Sequence, residues 1–399
     1  MDDRVICNPP IGIYKNKKTH VGHAFYLSLL DAYARYRDRF EGENITFPGK
    51  SYNIFGKRGE KLKESSDKIN SESGLKEYAE RIVEEDEVRG MLNLSSDEIL
   101  LDDDPEVIEG VKKDFMELDD RGYLKERQEQ YFLDSEEIGE RNDLQEKIEE
   151  IDFYPNRGKR QFERFLEENL EDIRVTRSRE YSVDNPLGGE SIGPLFTLAN
   201  LWDSKYPEAE KYTFACSENV LCKYGFLRFL SKTALDDDPG MDEMVVWPEL
   251  KPEEGIENWE LENMIEDPYH GDMLRYTLLK KYTSNDNMEI EIDKNVFKEG
   301  RKFVYKIANL RNPFSEYGDR DQGLECDDLK PKYRERMDNF QFRETLIDLK
   351  NGFTEISKKV NAVNSETEMK NLRDRYLSLV EMAEPFVPET SQLVKSELK

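Results

Sequence analysis

The first fifty residues alternate between short apolar runs and one longer helical pattern, and this alternation limits the possible folds most. Residues 4–14 begin with an apolar run and end in Asn-Pro-Pro and a glycine, which predicts a strand followed by a turn. Apolar residues then recur at helical spacing from Phe25 to Tyr36, and residues 44–47 read as a second strand. Because a strand, a helix and a strand make a βαβ unit, we expect an α/β fold with a doubly wound parallel sheet.

The length of 399 residues allows two or three domains with a real core. The chain has no apolar run near the roughly 18–20 residues that a membrane helix needs, and its first twenty residues lack the apolar core of a secretory signal. Four cysteines give neither a disulfide framework nor a zinc pattern. We therefore expect a cytoplasmic protein with no membrane partner and no metal site built by cysteines.

The net charge of −28 is unevenly distributed. Residues 1–63 hold 12 basic and 7 acidic side chains, whereas residues 64–152 hold 11 basic and 31 acidic ones. The acidic block is typical of a solvated surface, and adaptation to high intracellular salt is a second interpretation. The acidity as a whole argues against a nucleic-acid partner, but the positive N-terminal segment does not.

The middle of the chain, residues 60–150, looks mostly helical, and residues 236–271 look rich in loops. The C-terminal hundred residues differ, because apolar residues from Phe342 to Val363 alternate spacings of four and three. Ser365 then begins a capping box for another helix. We expect an all-α bundle joined to the α/β domain near residues 285–292.

Two histidines, His20 and His23, lie three apart where the first strand turns into the first helix. The free N–H groups and partial positive charge of a helix start favour a phosphate. Imidazoles there can donate hydrogen bonds that strengthen as charge develops in a transition state, and Gly22 lets a ligand approach the backbone. A pair of capping or metal-binding histidines is the plainer alternative.

The segment around these histidines, PPIGIYKNKKTHVGHAFYLSLLDAYARYRDRFEG (9–42), resembles the nucleotide-binding start of class I aminoacyl-tRNA synthetases of the leucine, isoleucine, valine and methionine group. His20-Val21-Gly22-His23 matches the HIGH motif of that family. Residues 43–60 are similar to the second strand and amino-acid pocket, most like the leucyl enzymes. Weaker similarities follow in the family's order, at 102–126, 169–181, 217–229, 271–279 and 384–398.

The resemblance implies a division of the chain into four parts. Residues 1–90 and 156–288 would form the two halves of a Rossmann-like nucleotide-binding domain. Residues 91–155 would be a short acidic connective insertion without an editing domain. Residues 289–399 would form a helical bundle like the anticodon-binding domains of the family.

The resemblance also implies an activity, in which ATP with Mg²⁺ activates an aliphatic amino acid of the leucine type, with transfer to tRNA as a further step. It assigns His20 and His23 to catalysis. The other implied roles are ATP binding by Gly22, Glu218, Asn219 and Lys251, an amino-acid pocket of Asn8, Pro9, Pro10, Tyr52 and Asn53, and tRNA contacts by Arg157, Lys159, Arg160 and Arg164. No metal ligands are implied among the side chains.

Two departures from the family pattern bear on activity. The lysine-rich loop that binds ATP in the family, KMSKS, corresponds to residues 250–264, where Lys251 is the only basic residue among five glutamates. Like charges oppose the binding of a triphosphate. Asn53 occupies the position of an Asp that pairs with the substrate ammonium, so the charge-assisted part of that hydrogen bond is lost.

Three functions therefore stay open. The first is an active synthetase or adenylate-forming relative. The second is a catalytically degenerate paralogue that binds tRNA, an amino acid or a partner synthetase without activation. The third is a ligase that charges an amino acid without recognising an anticodon.

Overall fold

A computed structural model describes residues 3–8, 11–12, 21–55, 60, 77, 92–95, 99–168, 172–179, 182–217, 224–236, 238–252, 269–282, 289–292, 296–317 and 329–398. The chain divides into two units. The first comprises Met1–Lys18, Glu43–Asp86 and Ser96–Pro248, and the second comprises Thr19–Gly42, Glu87–Ser95 and Glu249–Lys399. The domain boundaries predicted from the sequence stay a prediction.

The described strands, in chain order, are β1 (Asp3–Cys7), β2 (Ile11–Gly12), β3 (Asn44–Thr46), β4 (Lys50–Asn53), β5 (Ile99–Leu101), β6 (Leu124–Arg127), β7 (Gln130–Leu133), β8 (Asp152–Tyr154), β9 (Ile173–Arg174), β10 (Thr176–Arg177), β11 (Ser191–Ile192), β12 (Lys211–Ser217), β13 (Glu243–Trp247), β14 (Glu249–Pro252) and β15 (Glu289–Ile292). The described α-helices are α1 (Val21–Tyr36), α2 (Pro105–Asp120), α3 (Ser135–Arg141), α4 (Leu144–Glu149), α5 (Arg157–Glu168), α6 (Pro194–Lys205), α7 (Phe226–Asp236), α8 (His270–Lys281), α9 (Val296–Leu310), α10 (Lys330–Asp338), α11 (Phe342–Val360), α12 (Glu366–Ala383) and α13 (Pro388–Leu398).

The central sheet of the first unit is parallel and has the order β3-β1-β12-β13-β8. This confirms the predicted doubly wound α/β fold. From the neighbours β1 and β12 the sheet extends in opposite directions, to β3 on one side and to β13 and β8 on the other. Open α/β sheets bind ligands at the carboxyl ends of the strands at such a switch point. Asn8, which follows β1 directly, lies at this edge.

Strand β13 lies within residues 236–271, which the sequence predicted to be rich in loops, and it was not predicted. Its five residues are all buried inside the central sheet, between β12 and β8. A parallel strand covered on both faces reads as a short continuous apolar run rather than an alternating one, and Met244–Trp247 is such a run before Pro248. This apolar run is only four residues long, so in the sequence alone it does not distinguish a strand from part of a loop.

The hairpin of β6 and β7 lies within residues 60–150, which the sequence predicted to be mostly helical, and it was not predicted. The two strands are antiparallel and are joined through Gln128 and Glu129, both at positive φ (55° and 64°). Such two-residue turns are ordinarily marked by Asn-Gly or Asp-Gly, so Gln-Glu gave no hairpin signal. The hairpin continues into β9, which pairs with β7.

The core of the first unit includes an aromatic cluster on α5, α7 and β8. Phe162 of α5 lies edge to face against Phe226 and Phe229 of α7, with centroids 5.3 and 5.2 Å apart. Phe153 of β8 lies 5.7 Å from the same ring. Edge-to-face packing of this kind suits the ring quadrupoles and fixes the helices on the sheet.

The second unit contains α1, the parallel pair β14–β15 and the helices from α8 onward. The predicted apolar seam is confirmed on α11, where Phe342, Leu346, Leu349, Phe353 and Ile356 are buried. Ser365 is confirmed as the N-cap of α12, since its side chain accepts a hydrogen bond from the Glu368 N–H at 3.3 Å. No helix in the described part of the chain is long and apolar enough to cross a membrane.

Candidate functional site

Several residues assigned to the site from the sequence fall where the structure gives no description. Pro9, Pro10, His20, Glu218 and Asn219 lie outside the described residues. Two others are described by their backbone. Tyr52 lies in β4, paired with Ile11 and Leu101, and Lys251 lies in β14, paired with Glu291. The roles of all seven stay predictions.

Gly22 and His23 lie in the first turn of α1, and both are partly exposed. The His23 ring meets the Tyr26 ring edge to face, with centroids 5.9 Å apart. The first N–H groups of a helix have no acceptor within it, and the helix dipole adds partial positive charge there. His23 therefore lies on a helix end whose electrostatics favour a phosphate.

An ion-pair cluster on α1 fixes this helix within the second unit. The Asp31 carboxylate lies 2.8 Å from Arg275 of α8 and 2.8 Å from Arg35, and it accepts a hydrogen bond from the Ser95 N–H at 2.6 Å. Burial opposes the ionisation of Asp31, but Arg275 and Arg35 outweigh burial and hold the pKa of its carboxyl below the usual value. The carboxylate is therefore charged and fully paired, and it holds the helix that carries His23.

In the first unit, Asn8 connects the end of β1 to β4. The side chain of Asn8 is fully buried, and its Nδ2 donates a hydrogen bond to Ser51 Oγ at 2.9 Å. Asn8 Oδ1 is buried and accepts no hydrogen bond from the described residues. A buried acceptor without a donor is costly, and native proteins commonly keep one where a ligand or water satisfies it.

Asn53 lies on the same face of β4 as Ser51, because side chains two apart on a strand point the same way. Its Nδ2 donates a hydrogen bond to Asp102 Oδ2 at 2.9 Å. Asp102 follows β5 and also accepts the N–H groups of Ile54 at 2.7 Å and Phe55 at 3.2 Å. Two buried hydrogen-bonded pairs, Asn8–Ser51 and Asn53–Asp102, thus start from one face of β4, and we name these four residues the β4 polar cluster.

Asp102 is the member of the β4 polar cluster that the sequence reasoning missed. It is fully buried, and this burial raises the pKa of its carboxyl to about 7, although the N–H groups of Ile54 and Phe55 oppose the shift. Its neighbour Asp104 caps α2 by accepting the Glu106 N–H at 3.0 Å. The acidic run at 101–106 therefore includes residues with structural roles. The Asp-Pro pair at the start of α2 is the sequence feature that indicates the helix cap.

The residues predicted to contact tRNA lie on α5. Arg160 and Arg164 are exposed, whereas Arg157 and Lys159 are partly buried. Lys159 forms an ion pair with Glu149 at 2.5 Å. Arg160 and Arg164 lie on the side of α5 opposite the buried Phe162, so these two residues present charge to the outside of the first unit.

Ser231-Lys232 is a Ser-Lys pair upstream of residues 250–264, and the sequence suggests a helix there rather than an ATP-binding loop. Both lie inside α7 and are buried. The ammonium of Lys232 lies 3.1 Å from Asp114 and 3.7 Å from Asp203. This lysine is committed to ion pairs within the first unit, as expected for a structural cation.

Comparison with known proteins gives a fold but no sequence relative. No protein-family model matches the chain, and no curated protein matches its sequence. Solved structures do match. Two are Mycobacterium tuberculosis methionyl-tRNA synthetase with methionyl-adenylate, at 12% identity and TM-scores of 0.75 and 0.76, covering 99% of this chain and 94% and 93% of theirs. The free form of that enzyme matches at 13% identity and a TM-score of 0.67, covering 99% of this chain and 91% of its own.

These comparisons agree with the resemblance at the level of the fold. The identities are low, and the matching structures are methionyl enzymes, so the leucyl likeness and the leucine-type pocket stay predictions. The parallel central sheet and the C-terminal helices both belong to the shared architecture. The chain has the fold of a class I aminoacyl-tRNA synthetase.

Proposed function

We propose that the chain joins an amino acid to ATP, forming an aminoacyl-adenylate and releasing pyrophosphate. The observation that carries the proposal is the β4 polar cluster beside the switch point of the sheet, with the buried Asn8 Oδ1 left as an acceptor. This is the edge where a doubly wound sheet binds its ligand. The shared fold adds support, because two of the matching structures hold methionyl-adenylate.

In the proposed reaction, a carboxylate oxygen of the amino acid attacks the α-phosphorus of ATP, and the bond to the β-phosphate oxygen breaks. The negative charge on the transferring phosphates increases in the transition state. His23 would donate a hydrogen bond there, as would His20, and the N–H groups of the first turn of α1 would add to it. The amino-acid side is assigned to Asn8 and Asn53 by the family resemblance alone.

We propose an aliphatic amino acid as substrate, with leucine as the choice that the sequence favours. Methionine is the second candidate, because the matching structures are methionyl-tRNA synthetases. Both side chains are unbranched at Cβ and similar in volume. A pocket for such side chains discriminates by only about 10–200-fold per methylene group, so both belong in any assay.

Transfer of the acyl group to tRNA is the proposed second step, with α5 as a contact surface. Arg160 and Arg164 are exposed, which lets them reach phosphates in an otherwise acidic protein. The double variant R160E/R164E should weaken tRNA binding and lower the slope of log K against log salt by about 2. An unchanged slope would remove α5 from the contact surface.

Magnesium would accompany ATP as in the family, but the described side chains offer no site for it. Among the described residues, no group of three or more His, Cys, Asp or Glu side chains is arranged to hold a metal ion. Mg²⁺ keeps several waters and binds through substrate phosphates in such enzymes. We therefore assign no step to a metal held by the protein.

The second candidate is a catalytically degenerate paralogue that binds an amino acid, tRNA or a partner synthetase. The acidic segment 250–264 favours it, because five glutamates stand where the family places lysines. Amino-acid-dependent exchange of pyrophosphate into ATP separates the two candidates. Exchange with any of the twenty amino acids, at low or molar salt, supports activation, and its absence under all conditions leaves the non-catalytic paralogue.

A further inference from the structure

His23 has an aromatic neighbour on its own helix. His23 and Tyr26 lie three residues apart on α1, which brings their side chains to one face of the helix. Side chains in a helix lean toward its N-terminus, so a residue covers the turn before its own Cα. Tyr26 therefore covers the first turn of α1, which carries His23.

The two rings meet in a defined geometry. Their centroids are 5.9 Å apart, and their planes make an angle of 85°. Aromatic rings at this separation attract each other in a perpendicular arrangement, because the edge of one ring is positive and the face of the other is negative. The contact favours one orientation of the imidazole over those that turn it away from Tyr26.

Tyr26 is the fixed member of this pair. It is 6% exposed, whereas His23 is partly exposed. The helix is held as well, because Asp31, five residues further along α1, forms its buried ion pair with Arg275. A ring in a close-packed interior has little room to move. The imidazole therefore adopts the orientation that the tyrosine ring favours.

The first turn of α1 suits a donor that faces an anion. It holds no acidic residue, in a chain where Asp and Glu outnumber Lys and Arg by 87 to 59. No carboxylate of that turn opposes a phosphate. A donor there lowers a reaction barrier most when its direction is fixed before the reaction, because no reorientation is then needed in the transition state.

We propose that Tyr26 is a positioning residue for His23, whose imidazole it orients so that an N–H group points toward the phosphates of the nucleotide. This proposal rests on the proposed function and adds a residue to it. Tyr26 acts through His23 and not on the substrate. It follows that the ring of Tyr26 is required and that its hydroxyl is not.

A purely structural role in the core of the second unit is the competing explanation, because Tyr26 is buried. Tyr33 provides the matched control. It lies on the same helix, is fully buried and packs against Phe340 with centroids 4.3 Å apart. Y33L removes a buried aromatic contact as Y26L does, but at a position ten residues from His23.

The first measurement is the NMR spectrum of the full chain with isotopically labelled histidine. The chain has three histidines, so the ring signals can be assigned with H23A and H270A. A nuclear Overhauser effect should connect the rings of His23 and Tyr26 in the wild type. Y26L should shift the His23 ring signals, because the ring current of Tyr26 is lost, whereas Y26F and Y33L should leave them in place.

The second measurement is amino-acid-dependent pyrophosphate exchange at a temperature where each variant is folded. Y26L should lower kcat about 2–10-fold, the population effect of one perpendicular ring pair, and leave KM for ATP and the amino acid unchanged. Y26F, which keeps the ring, should restore the rate, and Y33L should exchange like the wild type. H23A/Y26L should be no slower than H23A, because Tyr26 acts only through His23.

Four results would each overturn the proposal. They are the absence of the Overhauser effect, wild-type His23 signals in folded Y26L, a Y26F variant that behaves like Y26L, and an effect of Y26L that is as large in the H23A background as in the wild type. Y26M keeps an apolar side chain of greater flexibility, and it takes the place of Y26L if the leucine variant does not fold.

The proposal and the proposed function can fail separately. His23 signals that depend on Tyr26, without pyrophosphate exchange in the wild type, would leave Tyr26 as the residue that orients His23 and remove the activation chemistry. Exchange by the wild type, with unchanged kcat and unchanged His23 signals in Y26L, would do the reverse.

Discussion

Arg275 and Asp31 form an ion pair in which both side chains are fully buried, with Nη2 and Oδ2 2.8 Å apart. The pair joins α8 to α1 within the second unit, and α1 is the helix that begins with His23. Arg275 also donates to the backbone oxygens of Leu92 and Phe386, each at 3.2 Å. The guanidinium thus connects three stretches of the unit.

Removal of Arg275 should be strongly destabilising. R275M leaves the Asp31 carboxylate buried with Arg35 as its remaining cation, beside the hydrogen bonds from Ser95, and we expect a loss of about 3–5 kcal/mol in the free energy of unfolding. The double variant D31L/R275M removes both charges and should recover part of that loss. Urea unfolding measures the free energy of unfolding of R275M and of D31L/R275M. If R275M were at least as stable as D31L/R275M, the prediction would be wrong.

Gly300 is predicted to tolerate no side chain. A Cβ at this position on α9 would fall against the backbone oxygen of Met273 and the hydroxyl of Thr277 on α8. G300A should therefore push the two helices apart and cost about 1–3 kcal/mol. G139A is the matched control, since its Cβ would meet Leu144 at an ordinary 3.5 Å, and its melting temperature should stay near the wild type. Equal melting temperatures for both variants would refute the close approach of α8 and α9.

The pH dependence of stability should report Asp102. Its pKa is raised to about 7 in the folded chain, against roughly 3.9 when unfolded. The folded state then holds the proton more tightly, so this contribution to stability is complete below about pH 4 and is lost as the pH rises through about 7. Between those limits the wild type should lose on the order of 2–4 kcal/mol relative to D102N, which stays neutral. Urea unfolding of both proteins from pH 4 to 8 measures this difference in the free energy of unfolding. A difference that does not change with pH would show that the pKa of Asp102 is not raised in the folded chain.

The sequence predicted the elements that have strong local signals. The βαβ start, the α11 seam from Phe342 to Ile356 and the cap at Ser365 depend on periodicity and capping, and each is present in the structure. Strand β13 and the hairpin of β6 and β7 were not predicted, because their local sequence patterns are weak. Their formation depends on neighbours in the sheet, which a local pattern does not contain.

In the candidate site, too, some residues were predicted from a sequence pattern, whereas another depends on a contact between distant parts of the chain. Asn8 and Asn53 were predicted through a family pattern, and the structure puts both in the β4 polar cluster. Asp102 could not be predicted, because its importance comes from a contact 49 residues away from Asn53 in the sequence. An acidic run in a chain of net charge −28 looks like solvated surface until one of its carboxylates is found buried.

Pyrophosphate exchange, measured side by side for the wild type and H23A, tests whether the chain activates an amino acid with ATP and whether His23 takes part. We expect exchange with at least one amino acid, and a rate about 10²–10³-fold lower in H23A, as the loss of one preorganised donor produces. K359A, an exposed change on α11, should exchange like the wild type. No exchange with any amino acid at low or molar salt would contradict the proposed activation, and a wild-type rate in H23A would contradict the role of His23.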